Sequence, residues 1–442
     1  MFKYLPHTHQ DIDEMLKTIG VDSIDDLFAE IPDELKQCEI DIPSSHSELE
    51  LREHFKKVAG MNEPLIPFMG AGAYDHYTPS IIPYLTERQE FMTAYTPYQP
   101  EVSQGTLQYI FEYQSMICQL TGMHVSNASM YDGATATAEA MFMAAGVRKK
   151  KRVLISATVN PNVVEVVKTY AHYRGIDIVV VDEKDGATDF DDMKNKLDGD
   201  TAGMIVQNPN VYGVIEDFEG YSDTLKEQKA LFIMNHDPST LTHLKTPAEH
   251  GVDIAVGEAQ SLGVPLSFGG PYIGYMATTK KLMRKMPGRI CGVTEDVDGK
   301  RAYVLTLQAR EQHIRREKAN SNICSNQSLM ALFVTIYMAT MGKKGVYEAQ
   351  QISYNHAHYL HDMLLKLPQF EKAFDKPFFK EFTLKTTLDV EKMNRALREK
   401  GYLGPLSQAR FDENKEGLVT FAVTEKRTKA QMDELIRTLG EL

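Results

Sequence analysis

The chain has 442 residues and a formal net charge of −13, long enough to bury a large core and to hold a large domain with a smaller companion. A pI near 5.6 argues against a nucleic-acid partner, which needs a broad basic face to displace counterions from phosphate. The start MFKYLPHTHQDIDEML has no apolar signal core, and no run approaches the roughly 20 apolar residues of a membrane span, so a soluble, cytoplasmic protein with no membrane partner is expected.

In chain order, residues 1–60 read as a helical arm. Thr8 and Ser23 each stand three residues before an aspartate, the pattern of an N-cap answered by an acid. Residues 61–325 form the expected large α/β domain. It opens with FMGAGAYDHYTPSIIP (Phe68–Pro83) and TAYTPYQPEVSQG (Thr93–Gly105). In the second segment Pro97 and Pro100 fix φ and withhold N–H groups, which predicts an extended, rigid loop carrying polar tips. Composition alone suits an ordinary surface loop equally well.

From about 105 to 290 helical stretches (Thr106–Leu120, Ala134–Val147, Asn162–Tyr173) alternate with β-branched runs. Those runs are Arg152–Ser156, Ile176–Asp182, Gly203–Asn208, Ala230–Asn235 and Val252–Gly257. The alternation predicts a mainly parallel sheet covered by helices. Ile273–Thr279 adds a strand after the bend LGVPLSFGGP, where the chain direction can reverse. Within SMYDGATATA, the small residues Ser129, Gly133, Ala134 and Thr135 stand at a helix entry, where free N–H groups and the dipole suit an anion; close packing on the sheet is the plainer reading. Residues 326–442 read as a small α+β domain: a long helical stretch over Ser325–Leu367, strands in FKEFTLKT and GLVTFAVT, and a final helix at Lys429–Leu439.

Several chemistries lack support. There is no Walker A, HExxH, GxSxG or EF-hand pattern. Cys38, Cys118, Cys291 and Cys324 lie far apart with no CxxC pair, and read as reduced thiols, with Cys324 nearest in sequence to polar, site-like surroundings. His356, His358 and His361 read as ordinary helix residues, since a helix places only the last two side by side, and no metal site is expected. The run from Arg148 to Arg152 suits a helix end. REQHIRREK (Arg310–Lys318) is a cationic patch that intrahelical pairing with Glu311 and Glu317 would largely satisfy.

The order of residues in Phe68–Pro83, Thr93–Gly105, Leu120–Met141, Pro287–Leu329 and Thr420–Thr428 resembles the amino-terminal half of the glycine decarboxylase P-protein family. The resemblance implies a fold-type I pyridoxal-phosphate-dependent transferase-like α/β fold. In that fold a helix start holds the cofactor phosphate, an aspartate pairs with the pyridine nitrogen, and a lysine binds the cofactor as a Schiff base. Here the segment Val252–Pro271 contains no lysine, and Gln260 or a neighbour stands where it would be. Lys245 and Lys280 flank the segment and read as solvated. Asp237, after a strand in MNHDP, reads as a relic of the pyridine-binding aspartate or a structural cap.

P-proteins occur as one chain with two related halves or as two subunits, and only the second carries the lysine. The resemblance therefore implies that this chain works with a glycine dehydrogenase subunit 2, which carries pyridoxal phosphate covalently, together with glycine and the lipoyl-bearing H-protein. Tyr95, Tyr98, Gln99, Glu101 and Ser103 are then expected near a shared cleft, with Tyr74 and His76 beside them, and Ser129, Gly133, Ala134 and Thr135 as a phosphate cradle or its remnant. Part of the cationic patch around Arg310 is a candidate for meeting a carboxylate, a phosphate or the acidic carrier. A self-sufficient homodimeric decarboxylase or aminotransferase and a non-catalytic scaffold are the alternatives.

Overall fold

The computed structural model describes residues 6–36, 42, 44–92, 94–319 and 321–442; Cys38 and Thr93 lie outside them. Among the described residues no helix is long and apolar enough to cross a membrane. The chain divides into Met1–Glu63 and Pro64–Leu442.

In the first unit, helix α1 (His9–Ile19) starts from a capping box in which Thr8 and Asp11 satisfy each other's backbone N–H groups. Ser23 and Asp26 make the same exchange at a single 3₁₀ turn, Asp25–Phe28, where a helical run was expected. Helix α2 (Glu48–Ala59) is capped by Ser47 and Glu50. Neither α1 nor α2 has a buried residue.

The second unit is built on a seven-stranded sheet. Its strands are β1 (Val125–Ser126), β2 (Arg152–Ser156), β3 (Asp177–Val181), β4 (Thr201–Gln207), β5 (Leu231–Asn235), β6 (Ile254–Glu258) and β7 (Gly274–Thr278). They lie in the order β1-β7-β6-β5-β4-β2-β3. The pairs from β3 across to β6 are parallel, whereas β7 runs antiparallel to both β6 and β1. The Leu262–Pro271 bend therefore reverses the chain, as the Gly/Pro content predicts. β4, β5 and β6 are apolar almost throughout, which suits strands covered on both faces.

Helix α3 (Gln104–Thr121) packs with β7 and with the first part of a long helix that begins at Ser328 through Leu107, Ile110, Tyr113, Tyr275 and Tyr337. Helix α4 (Gly133–Arg148) lays Ala136, Ala140 and Ala144 on the sheet against Ile155, Ile205 and Ile233. Its alanines allow close approach and leave little side-chain entropy to lose. Helix α5 (Pro161–Arg174) adds Val167 and Ala171 to the same cluster.

A hairpin of β8 (Ile290–Glu295) and β9 (Arg301–Thr306) follows the large sheet. Helix α6 (Ser328–Leu364) comes next, broken at Gly342, whose φ of 60° interrupts the helical run. Its first part joins the α3 cluster and its last part joins a second core. That core lies under β10 (Phe370–Lys372), β11 (Glu381–Thr386), β12 (Leu406–Ser407) and β13 (Leu418–Ala422), with helices α7 (Val390–Glu399) and α8 (Lys429–Gly440). The kinked helix α6 contributes to both cores, so the expected break near residue 325 falls just before an element that both cores share.

Gly213 shows how closely the two cores approach. Its φ is 80°, and a Cβ there would collide with the backbone carbonyl of Glu381 at the start of β11. We expect Gly213→Ala to lower stability by about 3 kcal/mol or more, read as a drop in Tm and an earlier denaturant midpoint.

Candidate functional site

A cavity of about 210 Å³ opens at the carboxyl ends of β4, β5 and β6, lined among others by Asp132, Gly133, Asp237, Glu258 and Lys380. This is where open α/β sheets place their ligands, because strand ends and helix starts converge there.

The first wall is the start of α4. Asp132 is extended and accepts from the Thr135 N–H at 2.7 Å, while the Thr135 hydroxyl donates back to Asp132. Glu258, the last residue of β6, accepts from the Gly133 N–H at 3.0 Å, from Ile273 at 2.9 Å and from Gln260 at 3.2 Å. A Cβ on Gly133 would strike the Gly257–Glu258 backbone, so glycine is required by proximity. Burial pushes the Glu258 carboxyl up to about 8, and the N–H bonds from Gly133 and Ile273 oppose that rise. Ala134 lines the cavity, but buried Ser129 turns away and its hydroxyl accepts from the Gln327 N–H at 3.1 Å.

Gln260 is buried and committed to backbone. Its amide donates to the Tyr74 and Val264 carbonyls at 2.9 and 2.6 Å and accepts from the Tyr74 N–H at 2.8 Å. It thereby fixes the Phe68–Pro83 segment to the end of β6.

At the opposite wall Asp237 caps a 3₁₀ turn over Pro238–Thr242, accepting from the Ser239 N–H at 3.0 Å and the Ser261 hydroxyl at 2.5 Å. Its other oxygen lies 2.6 Å from the ammonium of Lys380, just before β11. Burial alone would raise the Asp237 carboxyl, but Lys380 and the Ser261 hydroxyl hold it down at about 2.

Lys380 is itself 2% exposed and donates to Nε2 of His76 at 2.8 Å and to the Ser239 hydroxyl at 3.1 Å, beneath the face of Tyr74 at 4.2 Å. An ammonium only donates, so Nε2 of His76 accepts and Nδ1 carries the proton. Nδ1–H then donates to Glu425 at 2.6 Å. Burial, followed by the charge of Lys380, lowers the His76 pKa and keeps the ring neutral. Glu425, although burial opposes it, is held at about 2 by His76 and the Tyr77 N–H. The result is a buried chain, Asp237–Lys380–His76–Glu425. Beside it Tyr74 donates to Glu381 at 2.8 Å.

The proline-rich loop belongs to a different neighbourhood. Tyr98 packs edge-on against His313 at 5.3 Å and under the guanidinium of Arg289 at 5.4 Å. Arg289 is buried, reaches Thr96 at 3.4 Å and Cys324 at 3.6 Å, and pairs with Glu311 at 3.9 Å. Gln104 locks the loop's far end to both backbone groups of Tyr303. From this root the tips project: Tyr95 is 85% exposed, and Gln99 and Glu101 are exposed. Ser103 is buried. Tyr98 and His76, expected side by side, share no hydrogen bond, ion pair or ring contact. His76 faces inward, where Glu425 and Lys380 satisfy both of its nitrogens.

The cationic patch is not the helix that pairing along it requires. Only Gln312–Arg315 is α-helical, and a separate 3₁₀ turn, Arg316–Lys318, follows it from Arg316 at φ 51°. Arg310 is used inside, donating to the carbonyls of Met286, Gly288 and Leu307. Arg315 and Lys318 instead join Arg284 and Lys285 around a second cleft, of about 170 Å³.

Lys380, Glu258 and Glu425 carry the site and were absent from the sequence-based candidates. The available signal was a pair of charges inside the phenylalanine-rich PFFKEF and an acid closing the apolar run VDIAVGE, since charges in apolar strands are seldom buried without partners.

With this geometry in hand, the comparisons are specific. The family described as "Glycine cleavage system P-protein" matches residues 2–439. A probable glycine dehydrogenase (decarboxylating) subunit 1 of Desulforamulus reducens is 47% identical over 444 residues, covering 100% of both chains. The protein of the same description from Moorella thermoacetica is 47% identical over 437 residues, covering 99% of this chain and 98% of its own. Among solved structures, a glycine decarboxylase (P-protein) of the glycine cleavage system in inhibitor-bound form superposes with TM-score 0.93 at 41% identity, over 100% of each chain. A sphingosine-1-phosphate lyase of Burkholderia pseudomallei, at TM-score 0.67 and 14% identity over 92% of each chain, shares the fold.

Because the folded pKa of Glu258, about 8, lies above its ordinary value, its contribution is fully present at low pH and is lost as pH rises through about 8. Glu258→Gln cannot titrate. Its stability relative to the native chain should therefore improve by roughly 2–3 kcal/mol between pH 6 and 9, measured by urea unfolding; parallel curves at both pH values would refute the assignment.

Proposed function

The chain belongs to the glycine cleavage system P-protein family, and from that membership we propose that it is the lysine-free member of a two-subunit enzyme whose partner holds pyridoxal phosphate covalently. The activity is that of glycine dehydrogenase (decarboxylating), with this chain as one subunit, on a fold-type I pyridoxal-phosphate enzyme scaffold. The cofactor, on the partner, supplies the electron sink for loss of carbon dioxide from glycine. The remaining aminomethyl group passes to the lipoyl arm of the H-protein, whose disulfide is opened and reduced. A cytoplasmic location fits this reading.

What this chain contributes is the Pro97–Pro100 loop. Its root is immobilised by Arg289, His313 and Tyr303, while the side chains of Tyr95 and Glu101 project with no partner among the described residues. A polar aromatic tip on a rigid root is built to meet another surface, and it is the observation that carries the proposal. Tyr95 and Tyr98 then lie where they pack and hydrogen-bond at the partner's reacting centre, and Glu101 is the group placed to accept or return a proton there. His76 enters as a positioning residue, because both ring nitrogens are committed inside. The cleft of Arg284, Lys285, Arg315 and Lys318 adjoins the same root through Glu311, and we assign it to an anionic group presented by a partner.

In complexes with the native partner, we expect Tyr95→Phe and Glu101→Gln to lower kcat for glycine decarboxylation by roughly 10–1,000-fold. The partner's cofactor absorbance and the subunit stoichiometry should stay unchanged. Full activity in both variants would reduce the loop to a structural role and favour the scaffold reading.

A further inference from the structure

We propose that this chain's own cavity is closed to pyridoxal phosphate by two of its side chains, Glu258 at the phosphate end and Lys380 at the pyridine end, so that loss of the Schiff-base lysine is one of three barriers. The proposal rests on reading the cavity as the cofactor site of the fold.

At the phosphate end, a bound phosphate needs the free N–H groups of a helix start. Here the Gly133 N–H is taken by Glu258 and the Thr135 N–H by Asp132. The Thr135 hydroxyl also donates to Asp132. A phosphate arriving at α4 meets two carboxyl groups in place of donors, and Ala134 is left as the one uncommitted N–H of the first turn's three. Glu258 is held by three backbone N–H groups, so displacing it would strand buried donors at Ile273 and Gln260.

At the pyridine end, a protonated ring nitrogen pairs with an aspartate. Asp237 is the carboxylate at the end of the strand, but the ammonium of Lys380 already stands 2.6 Å from it. That ammonium is fixed from the other side by His76, Ser239 and the Tyr74 ring. A cofactor ring would have to eject a buried cation and leave His76 without its donor. At the third position Gln260 is tied to the backbone of Tyr74 and Val264. The residues present therefore do not fit the cofactor, and each charged subsite is already matched from within.

The test is pyridoxal phosphate binding by the full-length chain, followed by equilibrium dialysis, with borohydride trapping and peptide mapping for covalent attachment. The native chain should show no saturable binding, and Gln260→Lys alone should trap no cofactor at position 260. Glu258→Ala/Lys380→Met should bind saturably, roughly tenfold or more tighter than the weakest affinity that dialysis of the native chain would have detected. Circular dichroism and a cooperative melt confirm folding. Because removing Lys380 leaves Asp237 unpaired, Glu258→Ala alone serves as a second variant, and a smaller gain is expected from it. Cofactor trapped at position 260 in the single Gln260→Lys variant would overturn the proposal, as would native affinity in a folded Glu258→Ala chain and a folded double variant. A different result would overturn the family-based division of labour instead: a native chain that traps cofactor on one of its own lysines.

Discussion

The second unit of this chain is organised around one buried cation. Lys380 is nearly inaccessible, and an ammonium removed from water is tolerated only where charge and acceptors surround it. Its partners come from distant parts of the sequence: Asp237 after β5, His76 from the segment before the loop, and Ser239 on the 3₁₀ turn. Satisfying Lys380 therefore positions the end of the parallel sheet, the start of β11 and the Phe68–Pro83 segment at once. Glu425, after β13, completes the arrangement through His76. An ion pair of this kind adds little net stability over an apolar core, but breaking it by removing one member leaves an uncompensated charge. Its effect is to specify how the two cores meet, which Gly213 and the Glu381 carbonyl enforce sterically.

The same physics explains what could be read without coordinates. Short β-branched runs and the glycine-proline bend are local signals, and they located every strand of the large sheet except the two-residue β1, as well as the reversal at β7. The N-cap at Thr8 is equally local. The Lys380–His76 contact spans 304 positions and the Arg289–Thr96 contact 193, and no window on the sequence contains both partners. Asp237 was visible as an acid at a strand end, yet what it binds was not. The cationic patch misled for a related reason. Pairing along a helix assumes a helix, and Arg310 is held instead by carbonyls of the Met286–Gly288 turn and its own Leu307.

The loop and the cavity divide the chain's chemistry into an inward and an outward part. Inside, Asp237, Lys380, His76 and Glu425 answer one another within the same chain, which makes a rigid wall. Outside, the side chains of Tyr95, Gln99 and Glu101 project from a root that Thr96 and Tyr98 anchor to Arg289 and His313. Rigidity at the root matters because a group that completes another subunit's site must arrive already oriented, since ordering it on contact would draw on binding energy. Arg289 supplies that orientation by combining a ring contact to Tyr98, a hydrogen bond to Thr96 and an ion pair to Glu311.

On the cofactor-site reading proposed above, a chain without the Schiff-base lysine faces a particular problem: a strand-end carboxylate and a helix start are each costly to bury unsatisfied. Lys380 and Glu258 meet both costs from within, because the ammonium stands 2.6 Å from Asp237 and the Glu258 carboxyl accepts from the Gly133 N–H. Retention of the loop and loss of the ligand site are compatible because they depend on different residues, Arg289 and Tyr303 in one case, Asp237 and Gly133 in the other.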